Sequence, residues 1–196
     1  MAVEGLFYDL LTIDTLNPQN PWWAESYVEN NTVYDRLYMI AGDVSISVWK
    51  AIFVCYFNKQ IAADNGLNDL YKWAEDGEWT WDLLMTCAEL VSDDFNGDEV
   101  YDEKDVYGLL TNLFALRSLV TSFAIPQATR TEDGGYELSF YSRRTETIYA
   151  DIYEDLWMGN AIFDNPGGGG EPELTTPIFM EDRALFTLQS LNYATT

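Results

Sequence analysis

The sequence predicts an α/β fold rich in helices. Three observations carry that expectation. Short apolar runs of β type are interleaved with stretches of helical periodicity; capping residues and glycine stops separate them; and 47% apolar with 15% aromatic content is enough to bury a core. With 196 residues the chain has the length of one sizeable domain or of parts of two.

The elements run in order along the chain. From Met1 to about Thr32 the pattern is irregular, with a loop "NPQNPWW" that carries the adjacent Trp22 and Trp23. The run Arg36–Asp43 reads as a short strand closed by Gly42 and Asp43. Ala51–Phe57, "AIFVCYF", is continuously apolar, as a strand buried on both faces would be. Asn58 then caps a short helix that Gly66 stops in the left-handed conformation, and "LNDLYKWAEDG" adds another turn or two.

The strongest helix is "EWTWDLLMTCAELVSDD". Thr80 is its N-cap, Asp82 lies in the first turn, and Leu83, Leu84, Cys87, Leu90 and Val91 fall on one face. "TNLFALRSLVTSF" is a further helix ending near Pro126, and "GGYELSFYS" a strand entered through a glycine turn. "RRTETIYADIYEDLWMGN" is a long amphipathic helix capped by Ser142, with Ile148, Ile152 and Leu156 spaced four apart. "DNPGGGGEPELTTP" reads as a flexible loop and "RALFTLQSL" as a buried strand. No internal repeat is visible.

Charge bounds the function. The chain carries 33 acidic and 10 basic residues, no histidine, and a net charge of −23. Such a surface repels nucleic acid and anionic membranes and tolerates cations and neutral ligands. Without histidine, Ser-His-Asp and Cys-His catalysis are excluded within the chain. Cys55 and Cys87 sit among apolar neighbours and read as two buried free thiols. "MAVEGLFYDLLTID" has neither the basic start nor the cleavage site of a signal peptide, and the longest apolar run is too short to span a bilayer.

The most concentrated feature is "DDFNGDEVYDEKD", Asp93 to Asp105, with seven acidic residues around one asparagine and one glycine. Counted from Asp94, side-chain oxygens fall at positions 1, 3, 5, 9, 10 and 12, a spacing similar to an EF-hand loop. Asp94, Asn96 and Asp98 would reach one centre and the carbonyl of Val100 would add a ligand. Asp102, Glu103 or Asp105 would complete the shell. An all-oxygen set points to a structural Ca²⁺; a solvated acidic loop that holds no ion is the other reading of the same residues. The residue at position 6 is Glu99, where the turn ordinarily takes glycine because its φ is positive.

The order of these features resembles a known family. "PWW", "YMIAGDVSIS", an apolar strand ending in Asn58-Lys59, Gly66-Leu67, Trp79-Thr80-Trp81-Asp82, Asp94 to Gly108 and "FMEDRALFTLQSL" succeed one another as in the extracellular solute-binding proteins of bacterial ABC importers, the family 1 group that captures sugars and oligosaccharides. The resemblance runs from about Pro21 to Leu191. It departs at Glu99 and at Asp182, both of which stand where the family has glycine.

The resemblance implies an incomplete form of a periplasmic-binding-protein-like (type II) two-lobed fold. Residues 1–50 would be a remnant of lobe one and the crossing segment, and 51–196 an incomplete lobe two. The chain would then be a fragment whose N-terminal lobe lies elsewhere, and its full-length form a membrane-anchored extracellular lipoprotein that serves ABC permease subunits. A sugar would stack on aromatic rings and bond to carboxylates in the cleft. That places Trp22, Trp23, Asp43, Ser45 and Trp49 as ligand contacts, and leaves Trp79 and Trp81 to packing. Catalysis is not expected. Two other classes stay open on the residues alone: a glycosidase fragment using a carboxylate pair, and a calcium-stabilised structural or adhesion module.

Overall fold

The computed structural model describes residues 5–165 and 175–195. At its centre is a four-stranded mixed sheet. In order across it lie β3 (Phe53–Phe57), β8 (Ala184–Ser190), β4 (Tyr107–Asn112) and β7 (Ile162–Asn165).

Ahead of that sheet the elements are short. A helix α1 (Glu25–Asn31) leads into a minimal hairpin, β1 (Thr32–Val33) and β2 (Arg36–Leu37). Its two turn residues, Tyr34 and Asp35, both have positive φ, 46° and 57°. This is the backbone of a primed turn, whose twist matches the strands it joins. The strand expected over Arg36–Asp43 is therefore confined to Arg36–Leu37, and beyond it the chain runs without a further strand to a five-residue helix α2 (Ile46–Lys50).

β3 is shorter than expected and lies at the edge of the sheet, paired with β8 alone among the described residues. All five of its residues are half-buried, so its apolar run does not reflect burial on both faces. Helix α3 (Lys59–Asp64) comes next, with the Asn58 side chain accepting from the Gln60 and Ile61 amides and Gly66 at φ 74° beyond its end. After α4 (Leu70–Glu75) comes α5 (Trp81–Val91), capped by Thr80, whose hydroxyl accepts from the Leu83 amide. Its buried face is Leu84, Met85, Cys87, Ala88 and Val91; Leu90, expected there, is exposed.

Two strands of the central sheet are not legible in the sequence. β4 is buried along its whole length, and takes Thr111 and Asn112 from the helix expected there, so that α6 spans Leu113–Ser122. β7 pairs parallel to β4. Between them the expected strand shrinks to β6 (Tyr136–Leu138), one arm of an exposed hairpin with β5 (Ala128–Arg130). The amphipathic helix is α7 (Arg143–Trp157), capped by Ser142, with Ile152 and Leu156 buried. The glycine run Gly167–Gly170 lies outside the described residues. A helix α8 (Thr175–Met180) precedes β8, the buried strand the sequence announces, which runs antiparallel to β3 and parallel to β4.

The core packs α5 and α7 on the sheet through Leu84, Cys87, Ala88, Leu109, Ile152, Leu156, Leu185 and Phe186. Gly108 makes the α5–β4 contact possible. A Cβ there would stand 2.1 to 2.3 Å from the Ala88 backbone, and no side chain fits in that space.

Candidate functional site

Two segments carry the candidate residues. In the first, "PWW" and "AGD" are brought together by the backbone. Trp23 bridges Gly42, the Ala24 amide donates to the Ala41 carbonyl at 3.0 Å, and the Asp43 amide donates to the Trp22 carbonyl at 2.8 Å. Gly42 is buried, and a Cβ on it would lie 2.0 Å from the Trp22 carbonyl oxygen, so this crossing requires glycine. Trp22 is 45% exposed and Trp23 half-buried; Trp22 sits in a turn that the Trp23 amide closes on the Asn20 carbonyl at 3.0 Å. Asp43 is exposed. Ser45 occupies the N-cap of α2, though its hydroxyl caps nothing, and Trp49 lies one turn further on, 51% exposed. The backbone thus gathers Trp22, Trp23, Asp43 and Ser45 onto one crossing, with Trp49 on the helix that leaves it.

None of these five lines either of two cavities elsewhere in the fold. One, about 490 Å³, is an apolar space between α6 and α7 walled by Leu116, Leu119, Ile152 and Tyr153. The other, about 340 Å³, lies between β3, α5 and α6 and is walled by Phe53, Trp79, Trp81 and Phe123. Trp79 packs edge-on against Phe186 and Trp81 against Phe123, which fits their packing role. They also border open space, which the sequence does not reveal because α6 is remote from them in the chain. The Trp81 indole N–H donates to the Asp155 carboxylate.

The second segment is the acidic loop. An antiparallel bridge between Asp93 and Val106 closes it, with amide-to-carbonyl distances of 3.0 and 3.1 Å. Inside, carboxylates and amides accept the turn's own N–H groups. Asp94 takes Gly97 and Glu99, both at 2.8 Å; Asn96 takes Asp98; Asp98 takes Val100; and Asp102 takes Lys104. Asp105 is fully buried and accepts from the Phe95 amide at 3.1 Å and the Asp102 amide at 2.8 Å, tying the two ends of the loop together.

Positive groups also meet the loop. The Lys104 ammonium bonds Asp102 at 2.8 Å, and its hydrogen bond is the main cause that holds the Asp102 carboxyl below the ordinary range. The Arg183 guanidinium donates to the Glu103 carbonyl. The Tyr107 hydroxyl donates to the Asp102 carbonyl, and burial, then the Asp105 charge, push its pKa above the ordinary phenol value. The charge density therefore has a local use: each acceptor satisfies an N–H that a tight turn would leave open.

Glu99 and Asp182, the two departures from the family pattern, have φ of 64° and 56°. Both lie in the left-handed region that glycine would relieve. Asp182 also accepts from the Asn58 side chain, which links the α8–β8 turn to the start of α3. The loop does hold Asp94, Asn96, Asp98, Val100, Asp102, Glu103 and Asp105 within one closed turn. Among the described residues, however, no three carboxylate, thiol or imidazole groups converge as a metal centre.

The comparisons with known proteins show a likeness of fold. No protein-family model and no curated protein matches the sequence. A solved structure does match in shape: the ABC substrate-binding protein Lmo0181 from Listeria monocytogenes, in complex with cycloalternan. The TM-score is 0.55 at 15% identity, and the match covers 96% of this chain. The chain spans 43% of the length of that protein.

Proposed function

We propose that this chain forms part of an extracellular solute-binding protein that captures a sugar or oligosaccharide for an ABC importer, and that it performs no catalysis itself. The observation that carries the reading is the shared fold over 96% of the chain with a substrate-binding protein whose structure holds an oligosaccharide. The ordered motifs from Pro21 to Leu191 agree with it. Residues 1–50 act as the crossing region with a remnant of lobe one, and 51–196 as the incomplete lobe two. Permease subunits are the expected protein partners, and a lipid-anchored, extracellular full-length form is the expected setting.

Sugar contacts are assigned to Trp22, Trp23, Asp43, Ser45 and Trp49. The exposed indoles of Trp22 and Trp49 offer stacking faces, and the Asp43 carboxylate stands free of the backbone pairing that fixes its amide. A neutral sugar suits a chain of charge −23. For a glycosidase the support is weaker. Asp102 and Asp133 are both held below the ordinary carboxylate range, by hydrogen bonds from Lys104 and Thr131, so neither of these two suits a general acid.

Structural Ca²⁺ at the acidic loop belongs to the same proposal. Its donors are all oxygen, as a hard divalent cation requires, and the backbone at Glu99 turns left-handed at the sixth position of the twelve. Asp94, Asn96, Asp98, the Val100 carbonyl and one or more of Asp102, Glu103 and Asp105 would hold the ion. Bound there, it would offset the repulsion among these carboxylates.

Titration with cyclic and linear gluco-oligosaccharides, followed by calorimetry and tryptophan fluorescence, tests the ligand reading. Saturable binding that Trp22→Ala and Trp49→Ala weaken at unchanged melting temperature is expected. A folded protein with no heat and no fluorescence change at millimolar sugar would overturn it. For the ion, melts with Ca²⁺ and with a chelator should differ in the native chain and coincide in Asp94→Ala.

A further inference from the structure

Residues 22–43 form a loop closed at its base. Trp22 and Asp43 meet there, backbone to backbone, beside the Trp23–Gly42 bridge, and the Ala24 amide donates to the Ala41 carbonyl at 3.0 Å. From that base α1 runs out to the β1–β2 hairpin, whose turn at Tyr34 and Asp35 is the tip of the loop. β2 then leads the chain back toward Gly42. With seven residues at about 1.5 Å each, α1 sets the tip about 10 Å from the base.

The tip meets the turn of the β5–β6 hairpin, remote from it in the chain. The Tyr34 amide donates to the Gly134 carbonyl at 3.1 Å. The Tyr136 hydroxyl donates to the Asn30 carbonyl at 2.8 Å, one of the last-turn carbonyls that a helix cannot pair within itself. The Tyr34 ring lies over Gly135: a Cβ there would stand 2.6 Å from its hydroxyl oxygen and 3.0 Å from its Cζ. Gly135 is buried, although every residue of β5 and β6 is exposed. Its φ is not positive, so room for Tyr34, and not the backbone, is what excludes a side chain at this position. The receiving turn is braced from within. The Thr131 amide donates to the Gly135 carbonyl at 2.9 Å, and the Gly134 amide to the Thr131 carbonyl at 3.0 Å.

We infer that the β5–β6 turn is a seat that positions the candidate sugar contacts. With Tyr34 seated, α1 is held at both ends, and the crossing that carries Trp22, Trp23 and Asp43 is held in one place. Tyr34, Gly135 and Tyr136 are then positioning residues, acting through α1 and not on the sugar. When the tip leaves its seat, the base loosens, and apparent affinity falls with the fraction of chains whose site is formed. The consequence for binding rests on the sugar reading above; the coupling of tip to base does not.

Hydrogen exchange and sugar titration test it on three variants. Gly135→Ala drives a Cβ against the Tyr34 ring, Tyr34→Ala removes the ring, and Tyr136→Phe removes the hydroxyl that meets Asn30. Circular dichroism establishes that each folds. Each should speed exchange of the Ala24 and Asp43 amides, at the base, by about fivefold, the factor that one hydrogen bond of ordinary strength carries. The Kd for linear and cyclic gluco-oligosaccharides should rise by a similar factor. Tyr34→Phe removes the atom nearest the added Cβ, so the effect of Gly135→Ala should shrink in that background. Base amides that exchange at the native rate in all three folded variants overturn the inference, because the tip then moves without the base. So does a native chain that binds sugar no better than the three variants do. A native chain that binds no sugar refutes the sugar reading alone, and the exchange rates still decide the coupling.

Discussion

Replacing Asp105 isolates what holds the acidic loop together. Its carboxylate is fully buried and accepts two backbone amides, Phe95 at 3.1 Å and Asp102 at 2.8 Å, from opposite ends of the loop. Asp105→Asn keeps the shape and one acceptor, but turns an amide N–H₂ toward one of those part-buried donors. Hydrogen bonds to a charged group contribute about 1.5–3 kcal/mol each, and an unsatisfied buried donor costs about 1–3 kcal/mol. The asparagine variant should therefore lose about 2 kcal/mol, and Asp105→Ala, which orphans both amides, about 4 kcal/mol. For a chain of this length about 2 kcal/mol corresponds to a fall in melting temperature of about 4–8 °C. Thermal and urea melts measure it, with exchange rates of the Phe95 and Asp102 amides as the local readout. If Asp105→Ala stays within about 0.5 kcal/mol of the native chain, the pinning argument fails.

Glu99→Gly should stabilise the protein by about 0.5–1 kcal/mol, since it removes left-handed strain at φ 64° and one charge from a crowded loop. Gly97→Ala should cost about 1 kcal/mol through φ alone, because a Cβ there meets nothing within 4 Å; paired urea melts, with Glu99→Gln as the charge-only control, separate the two effects. Asp102 is lowered and Lys104 raised by their mutual hydrogen bond. The Asp102 contribution is therefore complete above its unfolded value of about 3.9 and is lost as pH falls through the lower folded one. The Lys104 contribution is complete below its unfolded value of about 10.4 and is lost as pH rises through the raised folded one. In Lys104→Ala the Asp102 carboxyl should titrate closer to the ordinary value by NMR. Burial pushes the Cys55 thiol up to about 12 and raises that of Cys87. Both should react slowly with a disulfide reagent at pH 8 until denaturant opens the core.

The elements legible in the sequence are those whose causes are local. Thr80, Ser142 and Asn58 announce their helices because a cap acts on amides two or three residues away. Ile152 and Leu156 mark the face of α7 by their spacing. The requirement for left-handed backbone at Glu99 could likewise be read from its position in the loop, whereas Asp182 stood out only through the family resemblance. The candidate loop is visible for the same reason, since all its donors lie within twelve residues.

The features hidden from the sequence depend on partners distant in the chain. β4 and β7 are short mixed segments that become strands only because they pair with each other, and β4 also with β8, across long stretches of chain. The apolar run of β3 has the same composition as a strand buried on both faces, but its place at the sheet edge leaves it half-buried. The meeting of Trp22 with Gly42 and Asp43, and the burial of Asp105, are likewise decided by tertiary contact. Composition and local spacing determined that this acidic chain folds as helices and strands with one concentrated acidic loop. Which strands lie at the edge, which tryptophans face solvent and which carboxylate is sealed inside were decided by long-range pairing, because burial belongs to the assembled sheet and not to any segment alone.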